Sequence, residues 1–183
     1  MKYSFLKKTL AIFAVIVFSF SCSSDLDFEQ VDEFNIQPTF VTNLAYFNLE
    51  TNQFVVNGTE KNVFSYLSVI DVFNNSFFDK NLVKTELFFK VNNTINRAYN
   101  LNLAFLNNQN QVLYNVSIPV PAYNGTENIV IKTVVFDTNN VDVLINTTKI
   151  NFTLLMFPGP PLTNASTGSI ELSSSVTAYL DVK

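Results

Sequence analysis

The chain has 183 residues, 48% hydrophobic and 14% charged, with 15 acidic against 11 basic side chains, no histidine, no tryptophan and one cysteine. These counts exclude Ser-His-Asp and Cys-His catalysis and histidine-based metal centres, and a single arginine, Arg97, leaves no cluster for a nucleic-acid backbone. The four glycines, Gly58, Gly125, Gly159 and Gly168, stand too far apart to form a phosphate-cradling loop.

The N-terminus reads as an export signal. Lys2, Lys7 and Lys8 make a positive head, Leu10 to Phe20 is apolar and uncharged, and Ser19, Ser21, Ser23 and Ser24 surround the lone Cys22. The segment resembles the signal peptide of bacterial lipoproteins, with Ser19-Phe20-Ser21-Cys22 in the place of the lipobox. That resemblance implies cleavage after Ser21 and a lipid anchor of several acyl chains on Cys22, and Ser23, in place of an aspartate, implies the outer membrane. Two other readings stay open. An uncleaved membrane helix needs roughly 20 apolar residues, more than this run supplies, and an ordinary signal peptide cut elsewhere would leave Cys22 as a stray thiol.

On this reading residues 1–21 are the signal, 22–36 a lipidated acidic tether and 37–183 one domain. All 15 acids lie beyond Cys22 and three of the 11 bases precede it, leaving eight bases against 15 acids, a balance of −7. Asp25, Asp27, Glu29, Asp32 and Glu33 crowd the tether, which is expected to be solvated. Ser24-Asp25-Leu26-Asp27 is similar to the acidic motif that directs some lipoproteins to the cell surface; the alternative is a plain charged spacer.

From Gln37 onward the apolar residues alternate with period two, which predicts strands. Candidates run over Thr39 to Phe47, Gln53 to Val56, Val63 to Val72, Leu87 to Val91, Tyr99 to Phe105, Val112 to Val120, Ile129 to Phe136, Ile150 to Met156 and Ile170 to Val182. A bulge is expected near Lys132-Thr133, a short helical crossover at Val141 to Ile145, and at Phe73 to Phe78 either an exposed ring at Phe77 or Phe78 or a loop folded over a sheet edge. The set predicts an all-β, antiparallel, immunoglobulin- or fibronectin-like β-sandwich. Residues from about Thr85 to Val182, through Phe89-Lys90-Val91-Asn92-Asn93-Thr94, Leu101 to Leu106, Ile118-Pro119 and Ile129-Val130-Ile131, are similar in layout to the water-stress and hypersensitive-response domain of late-embryogenesis-abundant-like proteins. That resemblance implies the same kind of sandwich and brings no catalytic residues with it.

Chemistry is sparse. The acids Asp71, Asp79, Glu86, Glu127, Asp137, Asp142 and Glu171 are scattered singly, where glycoside hydrolysis needs two across a cleft. Asp137, Asn139, Asn140 and Asp142 space oxygen atoms as a calcium loop would, or simply make a polar turn. The recurrent Asn-x-Ser/Thr triplets, as at Asn57, Asn92 and Asn146, follow from the abundance of asparagine. Tyr66 and Tyr123 are the nearest candidates for sugar-stacking platforms.

The function expected is that of a non-catalytic outer-membrane lipoprotein, an interaction or accessory module without a cofactor. Its partners would be membrane lipid through Cys22 and an envelope protein; the alternative is a surface glycan-binding module. Strand addition along Ser169 to Val182 is expected if that strand lies at an edge.

Overall fold

The computed structural model describes residues 36–70, 72–73 and 75–182. Cys22, the signal and the tether up to residue 35 lie outside the described residues.

Ten strands form among the described residues, and period-two burial explains most of them. β1 covers Thr39–Glu50, β2 Val55–Val56, β3 Thr59–Glu60, β4 Val63–Val69, β5 Leu82–Asn93, β6 Tyr99–Leu106, β7 Val112–Val120, β8 Ile129–Phe136, β9 Lys149–Met156 and β10 Ser169–Leu180. In β6, Tyr99, Leu101, Leu103 and Phe105 are buried while Asn100, Asn102 and Ala104 are half-buried; β10 repeats the pattern with Ile170, Leu172, Val176, Ala178 and Leu180 inside. Asn57 and Gly58, both at positive φ, close the small β2–β3 hairpin, the backbone twist that a two-residue hairpin loop demands.

Two four-stranded antiparallel sheets result, in the orders β1-β10-β5-β8 and β4-β9-β6-β7. Leu87, Phe89, Leu172 and Val176 of the first sheet and Leu101, Phe105, Phe152 and Leu154 of the second belong to one core. The antiparallel all-β sandwich is as expected, and its connectivity is that of a jelly roll, two interleaved Greek keys. β10 meets both of its partners, β1 and β5, far off in sequence, so alternation alone does not reveal this order.

Three details differ from expectation. β8 pairs with β5 in unbroken register from Thr85–Phe136 to Asn92–Ile129, without a bulge at Lys132-Thr133. The Phe73 to Phe78 region holds a helix, α1, over Ser76–Asn81, capped by Asn75, whose side chain accepts from the Phe77 and Phe78 N–H groups at 3.1 Å each; Phe73 is buried and Phe77 exposed. β10 lies between β1 and β5, so its ladder is satisfied on both sides and it is no edge for strand addition. The crossover helix at Val141–Ile145, here α2, is present.

Strand direction sorts the loops onto two ends. One end collects Ile36, α1, the 107–111 turn and α2, through the Ile36–Val182 bridge, Asp181 N–H to Asn81 C=O at 2.8 Å and Thr148 N–H to Leu106 C=O at 2.9 Å. The other end collects the segments 51–62, 94–98, 121–128 and 157–168.

Candidate functional site

The second of these ends is built around Arg97. Its guanidinium, 3% exposed, donates to Phe157 C=O at 2.8 and 3.0 Å, to Pro160 C=O at 2.7 Å and to Glu60 at 2.9 Å. Glu60 is carried there by the β2–β3 hairpin and also accepts the Leu162 backbone N–H. That N–H first, and the adjacent Arg97, hold the Glu60 carboxyl below the usual carboxylate range against the opposing effect of desolvation. Beside them the buried Asn93 donates to Arg97 C=O at 2.9 Å and Pro121 C=O at 2.7 Å and accepts from Ile95 N–H at 3.0 Å. Every partner is a structural amide, carbonyl or carboxylate, so the cluster pins four loops together and leaves no reactive group turned outward.

The end where the chain enters carries a cleft of about 540 Å³, walled by Asn107, Asn108 and Gln109 of the β6–β7 turn and by Asp142, Asn146 and Thr148 around α2. Asn107 fixes its wall by accepting from the Gln109 and Gln111 N–H groups at 2.9 Å each, and Asn146 by donating to Asp142 C=O at 2.8 Å. Beside the apolar side chains of Leu113 and Val143, the cleft offers amides, one hydroxyl and one carboxylate. These are groups that bind hydroxyls or peptide amides rather than attack them.

A second polar surface is the outer face of β4-β9-β6-β7. Asn100 donates to Asn102 at 2.8 Å, Ser117 to Asn100 at 2.9 Å and Asn151 to Thr153 at 3.3 Å, with Ser65 and Thr153 hydroxyls 3.4 Å apart. Uncharged amides and hydroxyls cover the middle of this sheet.

The residues singled out in the sequence do not converge. Among the described residues no three acids gather around one point. Glu86 pairs with Lys84 at 2.6 Å on the outer face of β5, and Lys84 lies over the Tyr179 ring at 5.1 Å. In the Asp137 turn, Asp137 Oδ1 accepts from Asn139 N–H at 2.9 Å and Asn139 Nδ2 at 3.0 Å, while Asn140 Oδ1 accepts from Asp137 N–H at 2.8 Å. The turn is thus closed by its own amides, and only Asp142 reaches the cleft. Tyr66 sits on β4 against Phe152, ring centres 6.2 Å apart, while Tyr123 is in the β7–β8 loop, its N–H on Ile95 C=O at 2.9 Å. The cleft itself was not visible in the sequence, because its two walls are separated by two strands, β7 and β8, and the asparagines that line it are common throughout the chain.

No family model matches the chain, and no curated protein does. Among solved structures, it is similar to the VP2 subviral particle of infectious bursal disease virus, with 10% identity and a TM-score of 0.46 over 78% of this chain. A Parabacteroides distasonis protein described as secreted gives 10% identity and a TM-score of 0.44 over 63%, and Desmodium yellow mottle tymovirus gives 7% and 0.34 over 82%. The chain spans 32% of the first of these, 37% of the second and 89% of the third. Its own strand order, rather than these overlaps, defines the fold. No helix among the described residues is long and apolar enough to cross a membrane.

Proposed function

We propose that this protein is a non-catalytic, lipid-anchored module of the outer membrane whose sandwich serves as a protein-interaction body. The observation that carries the reading is the apolar surface of its outer strands. Val41 and Tyr46 on β1, and Val63, Tyr66, Leu67 and Val69 on β4, all stand 43% exposed or more, in a chain whose export signal leads to a lipid-type cysteine. A body of net charge −7 is repelled by anionic membrane surfaces, so the acyl chains rather than electrostatics would hold it in place.

The test is mass spectrometry of the N-terminal peptide from the membrane fraction, together with affinity purification in mild detergent. The expected result is Cys22 as first residue, carrying acyl chains, with a stoichiometric envelope protein recovered alongside. A free Cys22 thiol in a soluble product overturns the anchor, and recovery without any companion overturns the accessory role.

The amide-walled cleft favours a second reading, a glycan-binding module that grips sugar hydroxyls through Asp142, Asn146 and Asn107. A glycan array probed with the parent protein and with Asp142→Ala separates the two: selective binding lost in the variant supports it, and an unchanged, featureless array removes it.

A further inference from the structure

Four strands lie at the edges of the two large sheets: β1 and β8 in one, β4 and β7 in the other. An open edge invites another strand, and proteins guard against this with bulges, prolines, charges and inward-pointing lysines. β1 is bulged between Asn43 and Tyr46, and Ser174 bonds to Ala45 there. β7 carries Pro119, and its pairing slips between Phe105 and Leu106. β8 carries Lys132, aligned with the buried Phe89 and therefore on the inward-facing side. β4, Val-Phe-Ser-Tyr-Leu-Ser-Val, has no charge, no proline and unbroken register with β9. It alone is unguarded among the four edges of the two large sheets.

From this we infer that β4 is a dimerisation edge, taking the β4 of a second copy of this chain in antiparallel register centred on Tyr66. The inference deepens the proposed interaction role and rests on it. The pairing parity comes from β9: Ile70 N–H bonds to Thr148 C=O and Met156 N–H to Asn62 C=O, both at 2.8 Å. Even-numbered residues therefore face β9, and Val63, Ser65, Leu67 and Val69 turn both N–H and C=O to the open side. About Tyr66, Val63 meets Val69 of the second copy and Ser65 meets its Leu67, so every outward amide and carbonyl finds a partner.

The side chains agree with this register. Val63, Leu67 and Val69, 55%, 51% and 69% exposed, line one face and would be covered by the same residues of the other copy. Tyr66, 43% exposed, falls at a position without ladder bonds, where opposing side chains approach most closely. In the sequence Lys61 and Asp71 stand equidistant from Tyr66, so the two flanks of β4 are opposite in charge about the same centre. The pairing is self-complementary and closes on itself as a two-fold dimer, joining two four-stranded sheets into one.

The experiment uses the full chain, solubilised in mild detergent, with its mass measured by light scattering. The expected mass is that of two chains, falling to one in Ser65→Pro, which removes an N–H from the open side while leaving the β9 ladder whole, and in Leu67→Lys, which adds the missing guard. Should Ser65→Pro fail to fold, Leu67→Lys carries the comparison. In native membranes, mild oxidation of Tyr66→Cys gives a disulfide dimer beyond the level set by wild-type Cys22, and Val112→Cys on the β7 edge does not. A wild-type mass of one chain overturns the inference, whether its β4 amides exchange freely or are protected by the chain's own tether; so does a crosslinked band containing a different protein. An unacylated Cys22 counts against the anchor and not against the dimer, which keeps the two failures apart.

Discussion

Ser174 and Ala45 are bonded twice across 129 residues of chain: the Ser174 hydroxyl accepts from Ala45 N–H at 2.9 Å and donates to Ala45 C=O at 2.8 Å. Ser174 is the polar residue that interrupts the apolar inner row of β10, and it fills the place where β1 bulges away. Ser174→Ala leaves both backbone groups without this partner and is expected to cost about 1 kcal/mol. Urea unfolding reads it as a lower midpoint at unchanged slope.

The loss of Arg97 is expected to be far more damaging. Arg97→Met strips partners from Phe157 C=O, Pro160 C=O and Glu60 together and should destabilise by about 3 kcal/mol, the cost of breaking a buried pair from one side. A pH signature accompanies it. Because the folded state holds the Glu60 carboxyl below its ordinary 4.5, its contribution is present above that value and is lost as pH falls through the lowered one. Glu60→Gln should be less stable at neutral pH and show a shallower loss between neutral and acid pH, measured by unfolding across that range.

Gly168 permits the close meeting of two loops. Its φ is +114°, and a Cβ there would lie 2.5 Å from Thr94 C=O oxygen, where Thr94 and Ser169 exchange hydrogen bonds at 2.8 and 2.9 Å. Gly168→Ala combines backbone strain with that clash and is expected to cost about 2 kcal/mol or more. Thermal unfolding of the variant beside Thr94→Ala, which removes a bond without a clash, separates the two effects.

Tyr99 gives a prediction of opposite sign. Its hydroxyl is buried with no hydrogen-bond partner among the described residues, and desolvation raises the phenol far above its ordinary 10.0. A group whose folded value is raised stabilises below the unfolded value and loses that contribution as pH climbs, since the unfolded chain then releases the proton. Tyr99→Phe should therefore be neutral or stabilising by up to about 1 kcal/mol at pH 7, and should flatten the loss of stability above pH 10. Ultraviolet titration of phenolate, with unfolding curves at pH 7 and 10.5, checks both.

Alternation made β6, β7, β9 and β10 legible residue by residue, because each buries one face and wets the other. The jelly-roll order was not legible, since it depends on pairings such as Ser169 with Glu50 on one side and Ile170 with Asn93 on the other, which no local pattern encodes. α1 escaped because six residues, Ser76–Asn81, are too few to display a helical period. Lys132 interrupts an apolar run and so imitates a bulge, yet it keeps register opposite Phe89. Of the cleft, Asp142 was visible as a lone acid; the turn from Asn107 to Gln111 that faces it was visible only as a hairpin loop. Arg97 stood out as the single arginine, but its carbonyl partners at Phe157 and Pro160 are ordinary backbone and leave no mark in a sequence.

The bridge between Ile36 and Val182 has a mechanical consequence. A pull on the chain ahead of Ile36, against a load on the Arg97 end of the sandwich, runs along the axis of β1. The β1–β10 ladder, from Thr39–Tyr179 to Glu50–Ser169, is then loaded in shear, so its rungs share the force and must fail together rather than peel one after another.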